Sequence, residues 1–216
     1  NLKIIGIDNR PVENLDPVEN CEFRQIRYTR NEFERLFRAI KFDAVFHLGR
    51  MSHAHLNPRA SLAQRLDLNV MGTNRILELS TQFGVKKIIV LSTWHVYGAY
   101  PENPVFIGEN SLLKASIKYP DLRDVVEMDQ LATNWMWKYQ HEIETIVFRP
   151  CSIIGPKINN SMTSYLTTPF APLAIDFNPM MQFIHEFDMA NILCHSLNNI
   201  STGVYNIATD ETISLH

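Results

Sequence analysis

The chain has 216 residues, 45% of them hydrophobic, and sets 20 Lys and Arg against 23 Asp and Glu for a net charge of −3. That length suits one domain, or one with a small annex, and is ample for a buried core. The charge excludes the basic footprint of a nucleic-acid binder, and the longest apolar runs are strand-length, far short of the ~20 residues a membrane helix needs.

Cys21, Cys151 and Cys194 are scattered and odd in number. They offer neither a disulfide framework nor a zinc spacing, so a reducing cytoplasm is the expected compartment. The expected partner is a small molecule.

In chain order, LKIIGID (2–8) reads as a buried strand and NEFERLFRAI (31–40) as an amphipathic helix with Phe33, Leu36, Phe37 and Ile40 at helical spacing. FDAVFHLG (42–49) is the next strand. Residues 67–83 predict a longer helix with Val70, Ile76, Leu77 and Leu79 inward, stopped at Gly84. KKIIVLST (86–93) is continuously apolar, as expected of a parallel strand covered on both faces. Residues 125–139 predict a helix and TIVFRPCSII (145–154) a further strand. Beyond Pro156 the texture turns to Asn, Ser, Thr and Pro; a helix over 185–197 and a short strand, GVYNIA (203–208), follow.

Strands alternating with helices predict an α/β fold, a Rossmann-like doubly wound parallel sheet. Residues 1–155 form the dinucleotide-binding part in this reading, and 156–216 a smaller substrate-side region interleaved with the last strands. Ligands in such sheets bind outside the carboxyl ends of the strands. Asp8, His47 to Arg50, Ser92–Thr93 and Pro150 to Ser152 all stand at such ends and converge on one crevice.

GIDNR, FDAVFHLG, LNVMGTNRILE, KKIIVLSTWHVYG, FRPCSIIGP, FIHEFDMA and GVYNIA follow one another in an order and spacing that resemble the extended short-chain dehydrogenase/reductase family. The resemblance is to its UDP-glucose 4-epimerase-like, NAD-dependent epimerase/dehydratase branch, in a subgroup with a degenerate active site. It implies that a first strand, a glycine-rich turn and a helix, roughly 30 residues in all, belong ahead of GIDNR. The eight glycines present form no such turn, and the ISLH end has the look of a cut before a further helix.

The resemblance implies a role for each crevice residue. Asp8 would take the adenosine ribose hydroxyls, with Asn9 beside it, and a carboxylate there favours NAD over NADP; Arg10 leaves some room for NADP. Leu48, Gly49 and Arg50 would run under the cofactor, with Ser92 and Pro150 lining it and Asn69 steadying the active-site backbone. His47 reads as a satisfied strand histidine, and His53 and His55 lack a carboxylate at metal-ligand spacing, so no metal is expected. Thr93, four residues before the Tyr of VYG, would hold the substrate oxygen. His95, Ser152 and Gln182 fall on the substrate side.

The family's acid/base tyrosine, followed four residues later by a lysine, has two registers here. One selects Tyr119 with Arg123, which keeps a positive charge but not an ammonium. The other aligns Asp129 and Leu131 with the family's helix and lands on Asp121 and Val125. The second register is favoured by the expected cost of putting Asp129 on the buried stripe without a partner.

Ser152 stands where the family usually carries an asparagine, and Met180, Met181 and Gln182 supply no arginine for a diphosphate. Such a lost contact costs roughly 1.5–3 kcal/mol. His185 and Asp188 read as caps of the last helix, and Trp135, Met136 and Trp137 as packing or homodimer-interface residues. The function expected is NAD(P)-dependent hydride transfer on a nucleotide sugar or related small molecule. The alternatives are a catalytically impaired dinucleotide-binding sensor or scaffold, and a reductase on a non-nucleotide substrate.

Overall fold

The structure, a computed structural model, describes residues 2–9, 11, 18–49, 61–171 and 178–214. Two short parallel strands come first, β1 (Ile4–Asp8) and β2 (Cys21–Gln25). The Thr29 hydroxyl then caps helix α1 (Arg30–Ala39), accepting from the Glu32 amide, and Phe33, Leu36 and Phe37 form its buried stripe. Strand β3 (Ala44–His47) follows.

A capping box between Ser61 and Gln64 starts helix α2 (Leu62–Arg65), which runs through a π-helical turn at Leu66–Met71 into α3 (Gly72–Gln82). The helix thus begins ahead of residue 67, where the apolar period first shows, because a polar cap rather than periodicity sets its start. Gly84 ends the turn beyond it at φ 67°, a backbone angle that favours glycine.

Strand β4 (Lys87–Leu91) leads into a 3₁₀ turn, Trp94–Tyr97. Helix α4 (Ala115–Lys118), a second 3₁₀ turn at Pro120–Leu122 and the long α5 (Arg123–Lys138) come next. Strand β5 (Glu144–Pro150), β6 (Ser152–Ile154), α6 (Ser161–Leu166), β7 (Met180–Met181), β8 (Phe183–His185), α7 (Glu186–Asn199), β9 (Gly203–Ile207) and β10 (Ile213–Ser214) complete the chain.

The main sheet is parallel with strand order β3-β4-β5-β9. Both its faces are covered. Ile88, Val90 and Val147 pack with α1, α3 and α5 on one side; Ile89, Ile146 and Phe148 pack with Met189 of α7 on the other. These six strand residues are fully buried, the pattern that left the IIVL run (88–91) within KKIIVLST continuously apolar. Lys87 Nζ spans from β4 to the end of α7, donating to the carbonyls of Ser196, Leu197 and Ile200 at 3.0–3.1 Å while pairing with Glu144 at 2.9 Å. An ammonium there satisfies the helix's last carbonyls.

The expected single strand over 145–154 is two strands. Strand β5 ends at Pro150, the Cys151 amide still donates to Ile207 O at 2.8 Å, and the chain then leaves β9 to pair β6 with β8. Strand β2 was not read from the sequence: CEFRQ is only five residues long and largely exposed. The 156–216 stretch returns to the main sheet, since β9 lies against β5. Among the described residues no helix is long and apolar enough to cross a membrane.

Candidate active site

Strand β4 delivers Ser92 and Thr93 to its carboxyl end, both almost fully buried. They are fixed differently. The Ser92 amide still follows the sheet, donating to Phe148 O at 2.7 Å, and its hydroxyl donates to Asp129 Oδ2 at 2.5 Å. Thr93 turns into the 3₁₀ segment: its Oγ1 accepts from the His95 amide at 3.4 Å and lies 2.8 Å from His95 Nδ1.

Below Ser92 lies a buried ionic knot. Asp129 (0% exposed) faces Arg149 (4% exposed), with Nε to Oδ2 at 2.9 Å and Nη2 to Oδ1 at 2.7 Å. The second Nη of Arg149 donates to Tyr97 Oη at 2.9 Å and to Glu109 O at 3.0 Å, and Tyr97 donates on to Asn206 Oδ1 at 2.6 Å. Six segments (the end of β4, the Trp94–Tyr97 turn, the loop at Glu109, α5, β5 and β9) therefore meet through hydrogen bonds. Burial raises the Tyr97 phenol above its ordinary range against the opposing pull of Arg149. Burial would lower the Arg149 guanidinium, but Asp129 overrides it and holds it raised.

This knot corrects the cost argued for the buried stripe. Asp129 does sit there, but its carboxylate has two charge-assisted bonds and a hydroxyl donor, so it is not the unpaired charge that burial penalises. The signal in the sequence was Arg149 inside an otherwise apolar strand.

A second polar group lies at the entrance to α5. Asn69, buried on the π turn, donates through Nδ2 to Asp124 Oδ2 at 2.6 Å, and Arg65 approaches Asp124 at 3.6 Å and Asp121 at 3.5 Å. On the same helix Thr73 donates to Asn69 O at 2.5 Å and meets His47 Nε2 at 2.8 Å. Because the Thr73 proton goes to that carbonyl, His47 Nε2 carries hydrogen and donates. Burial lowers His47 to about 4, so it is neutral.

The remaining expected residues fall as follows. Asp8 is half-buried at the end of β1, and Asn9 is exposed with its carbonyl accepting from Gln25 Nε2 at 3.1 Å. Leu48 and Gly49 are exposed, and a Cβ built on Gly49 would stand 3.4 Å from the Tyr28 hydroxyl. Pro150 is buried opposite Ile207, and Ser152 is nearly so on β6. Gln182 Nε2 donates to Thr209 O at 2.6 Å. Arg10, Arg50, His53 and His55 lie outside the described residues.

Tyr119 and Arg123 are joined by neither a hydrogen bond nor a cation–π contact. Tyr119 Oη donates to Ala99 O at 3.3 Å, and the cation near its ring is Lys118, with Nζ 5.7 Å from the centroid. Arg123 is exposed, and Glu127 Oε1 at 2.6 Å raises its guanidinium further. In the other register, Asp121 is exposed beside Arg65, and Val125 is 4% exposed in an apolar cluster with Val96, Tyr97 and Ala115.

The chain matches the NAD dependent epimerase/dehydratase family over residues 1–208. It belongs to that family. A UDP-glucuronate 4-epimerase of Thermodesulfobacterium geofontis is 34% identical over 168 residues, 71% of this chain and 49% of that protein. A UDP-glucose 4-epimerase of Thermotoga maritima, solved with UDP-glucose, superposes with TM-score 0.79 at 21% identity, covering 98% of this chain and 71% of that one. A UDP-glucuronic acid 4-epimerase of Bacillus cereus, solved with its sugar nucleotide and NAD, gives TM-score 0.76 at 18% identity, covering 99% and 71%. These structural likenesses establish the fold, the extended Rossmann-like α/β architecture. The chain spans about half the length of the curated relatives it matches.

As a member of the epimerase/dehydratase family the chain carries an uneven donor set for a dinucleotide. Asp8 at a strand end and the side-chain-free Gly49 suit an adenosine ribose and a close backbone approach. At the α5 entrance the two registers place the exposed Arg123 or the buried Val125 where the family's lysine is expected, and neither offers an ammonium.

Proposed function

We propose that the protein binds a nicotinamide dinucleotide, NAD in preference to NADP, and carries out hydride chemistry at a hydroxyl or carbonyl carbon of a nucleotide sugar or related small molecule. The observation that carries this reading is Thr93: a nearly buried hydroxyl at the carboxyl end of a central parallel strand, where ligands of open α/β sheets bind. Family membership and the sugar-nucleotide chemistry of the named relatives support the substrate class.

Asp8 and Asn9 would hold the adenosine ribose, where the carboxylate disfavours a 2′-phosphate. Leu48, Gly49, Asn69, Ser92 and Pro150 would line the rest of the cofactor crevice, with Arg50 among them. When bound, the dinucleotide would supply a hydride acceptor and donor. Thr93 would hold the oxygen of the reacting carbon, and His95, Ser152 and Gln182 would face the substrate. Tyr119 and Arg123 remain the sequence's acid/base pair, and that role needs the phenol to leave the Ala99 carbonyl.

A second reading, a dinucleotide-binding sensor or scaffold with impaired chemistry, is favoured by Val125 and by the engagement of Arg123 with Glu127. Free UDP competing against the cofactor-saturated protein separates these readings from a reductase on a non-nucleotide substrate, since only a nucleotide-sugar site binds UDP. Turnover of a nucleotide sugar that Thr93→Val abolishes supports the enzyme; binding of UDP and NAD without turnover supports the sensor. We also assign the protein to the cytoplasm, in keeping with three free cysteines, and to a homodimer formed on the α3–α5 face, where Trp137 is exposed.

A further inference from the structure

We propose that His95, in place of Tyr119, is the proton acceptor behind Thr93, so that the two side chains form a relay from the substrate hydroxyl towards solvent. The inference rests on the reading of Thr93 as the residue that holds the reacting oxygen.

The argument is one of hydrogens. Thr93 Oγ1 accepts from the His95 backbone amide at 3.4 Å, which leaves its own proton to be donated. Among the described residues its acceptor is His95 Nδ1, 2.8 Å away. In the proposed arrangement Thr93 donates to Nδ1, which requires the tautomer with its hydrogen on Nε2. The ring is steadied by Trp94, whose own ring lies 4.4 Å from it at a 33° tilt. Thr93 is buried, while His95 is exposed, so the pair runs from the interior of the crevice outwards.

The other bases nearby are engaged away from Thr93. Tyr119 gives its hydroxyl proton to Ala99 O, and no hydrogen bond joins it to Thr93. The His47 Nε2–H is donated to Thr73, whose proton is in turn held by Asn69 O. Asp129 is held by Arg149 and Ser92. Of these groups only His95 joins a bare nitrogen to the Thr93 hydroxyl.

The step balances as follows. The substrate carbon loses a hydride, with its electron pair, to an oxidised nicotinamide, and its C–O bond becomes C=O. The substrate hydroxyl proton passes to Thr93 Oγ1 as the Thr93 proton passes to His95 Nδ1. Thr93 is left as a hydroxyl and His95 as an imidazolium; the reverse passage returns the proton when hydride is given back. A histidine is suited to this because its unperturbed pKa lies near neutrality.

The test has two arms on the whole protein. In the first, ¹⁵N resonances of His95 are read without any ligand in wild type, Thr93→Ser and Thr93→Val. The expected result is a hydrogen-bonded, unprotonated Nδ1 in wild type and Thr93→Ser that moves downfield to the position of an unbonded imidazole nitrogen in Thr93→Val. An Nδ1–H tautomer, or no response to Thr93→Val, overturns the proposal.

In the second arm, turnover of a UDP-sugar with NAD⁺ is compared for wild type, His95→Gln and His95→Ala. The glutamine carbonyl can accept the Thr93 hydrogen bond but cannot carry the proton away. Both variants are expected to lose roughly 10²–10⁴-fold in kcat with little change in KM, and added imidazole to restore His95→Ala but not Thr93→Val. Retained kcat in both His95 variants overturns the proposal. A wild type that turns over no UDP-sugar overturns the relay together with the functional reading, and an intact nitrogen signal in the first arm then identifies the reading, not the hydrogen bond, as what failed.

Discussion

Arg149 and Asp129, from a central strand and the helix that covers it, form a bidentate pair with both side chains almost wholly excluded from solvent. The pair sits directly beneath Ser92, so it fixes the strand end that presents Thr93. Breaking such a pair from one side leaves an uncompensated charge, at a cost of about 3–5 kcal/mol, whereas replacing both partners with apolar side chains is often near neutral. Asp129→Leu alone and Arg149→Met alone are therefore expected to lower urea-unfolding stability by about that amount. The double variant should recover most of the loss, and equal losses in all three proteins would show that the pair is not coupled.

His47 gives the fold an acid limit. Its value of about 4 lies below the ordinary 6.5, so between these pH values the unfolded chain binds a proton that the folded protein does not. By linkage, stability rises with pH across that window and is lost as pH falls from about 6.5 towards about 4. Denaturation curves collected at several pH values in wild type and His47→Asn should show a shallower acid slope in the variant. Parallel slopes would exclude His47 as the source.

Arg123 is predicted to matter little to the fold. Its pair with Glu127 is an exposed i,i+4 contact, a type usually contributing about 0.3–0.5 kcal/mol. Arg123→Gln should change the midpoint of thermal unfolding by no more than such a contact implies. A loss of cofactor binding or turnover in the same variant would point back to the Tyr119 register, and unchanged values would leave Arg123 as a surface residue.

Much of the fold was readable because its strands are the apolar kind that parallel sheets require. KKIIVLST became β4, with Ile88, Ile89 and Val90 fully buried, and Phe33, Leu36 and Phe37 became the inner stripe of α1. Strand β2 was missed because its alternation, Cys21 and Phe23 between Glu22 and Arg24, is too short to stand out, and Glu22, Phe23 and Gln25 are exposed. The break at Pro150 was hidden because both halves of TIVFRPCSII remain apolar while pairing with different partners.

The site was legible as a set of strand ends but not as a network. Topology alone put Ser92, Thr93 and Pro150 at the carboxyl ends of strands, where they stand. The Asp129–Arg149 pair was missed because a lone Asp in a helix and a lone Arg in a strand give no local hint that they meet. The Thr93–His95 contact depends on the backbone of a 3₁₀ turn, and sequence spacing does not report which way that turn points a hydroxyl.

Trp137 is 64% exposed on α5, while its neighbour Met136 is buried and Trp135 is tied to Thr81 by a 3.2 Å hydrogen bond. An exposed indole on this helix fits a homodimer contact, as aromatic side chains are enriched in such interfaces. Trp137→Glu should turn a dimer into a monomer by light scattering without loss of helical circular dichroism. An unchanged mass would remove Trp137 from the interface.

The most direct test of the central claim is a titration of the intact protein with NAD⁺ and NADH, followed by tryptophan fluorescence, with NADP⁺ alongside and Asp8→Ala as the variant. Saturable micromolar binding of NAD(H), weaker binding of NADP⁺ and a selective loss of NAD(H) affinity in Asp8→Ala are the predicted results. Absence of saturable binding by either cofactor would contradict the account, leaving a family fold kept for some purpose other than dinucleotide chemistry.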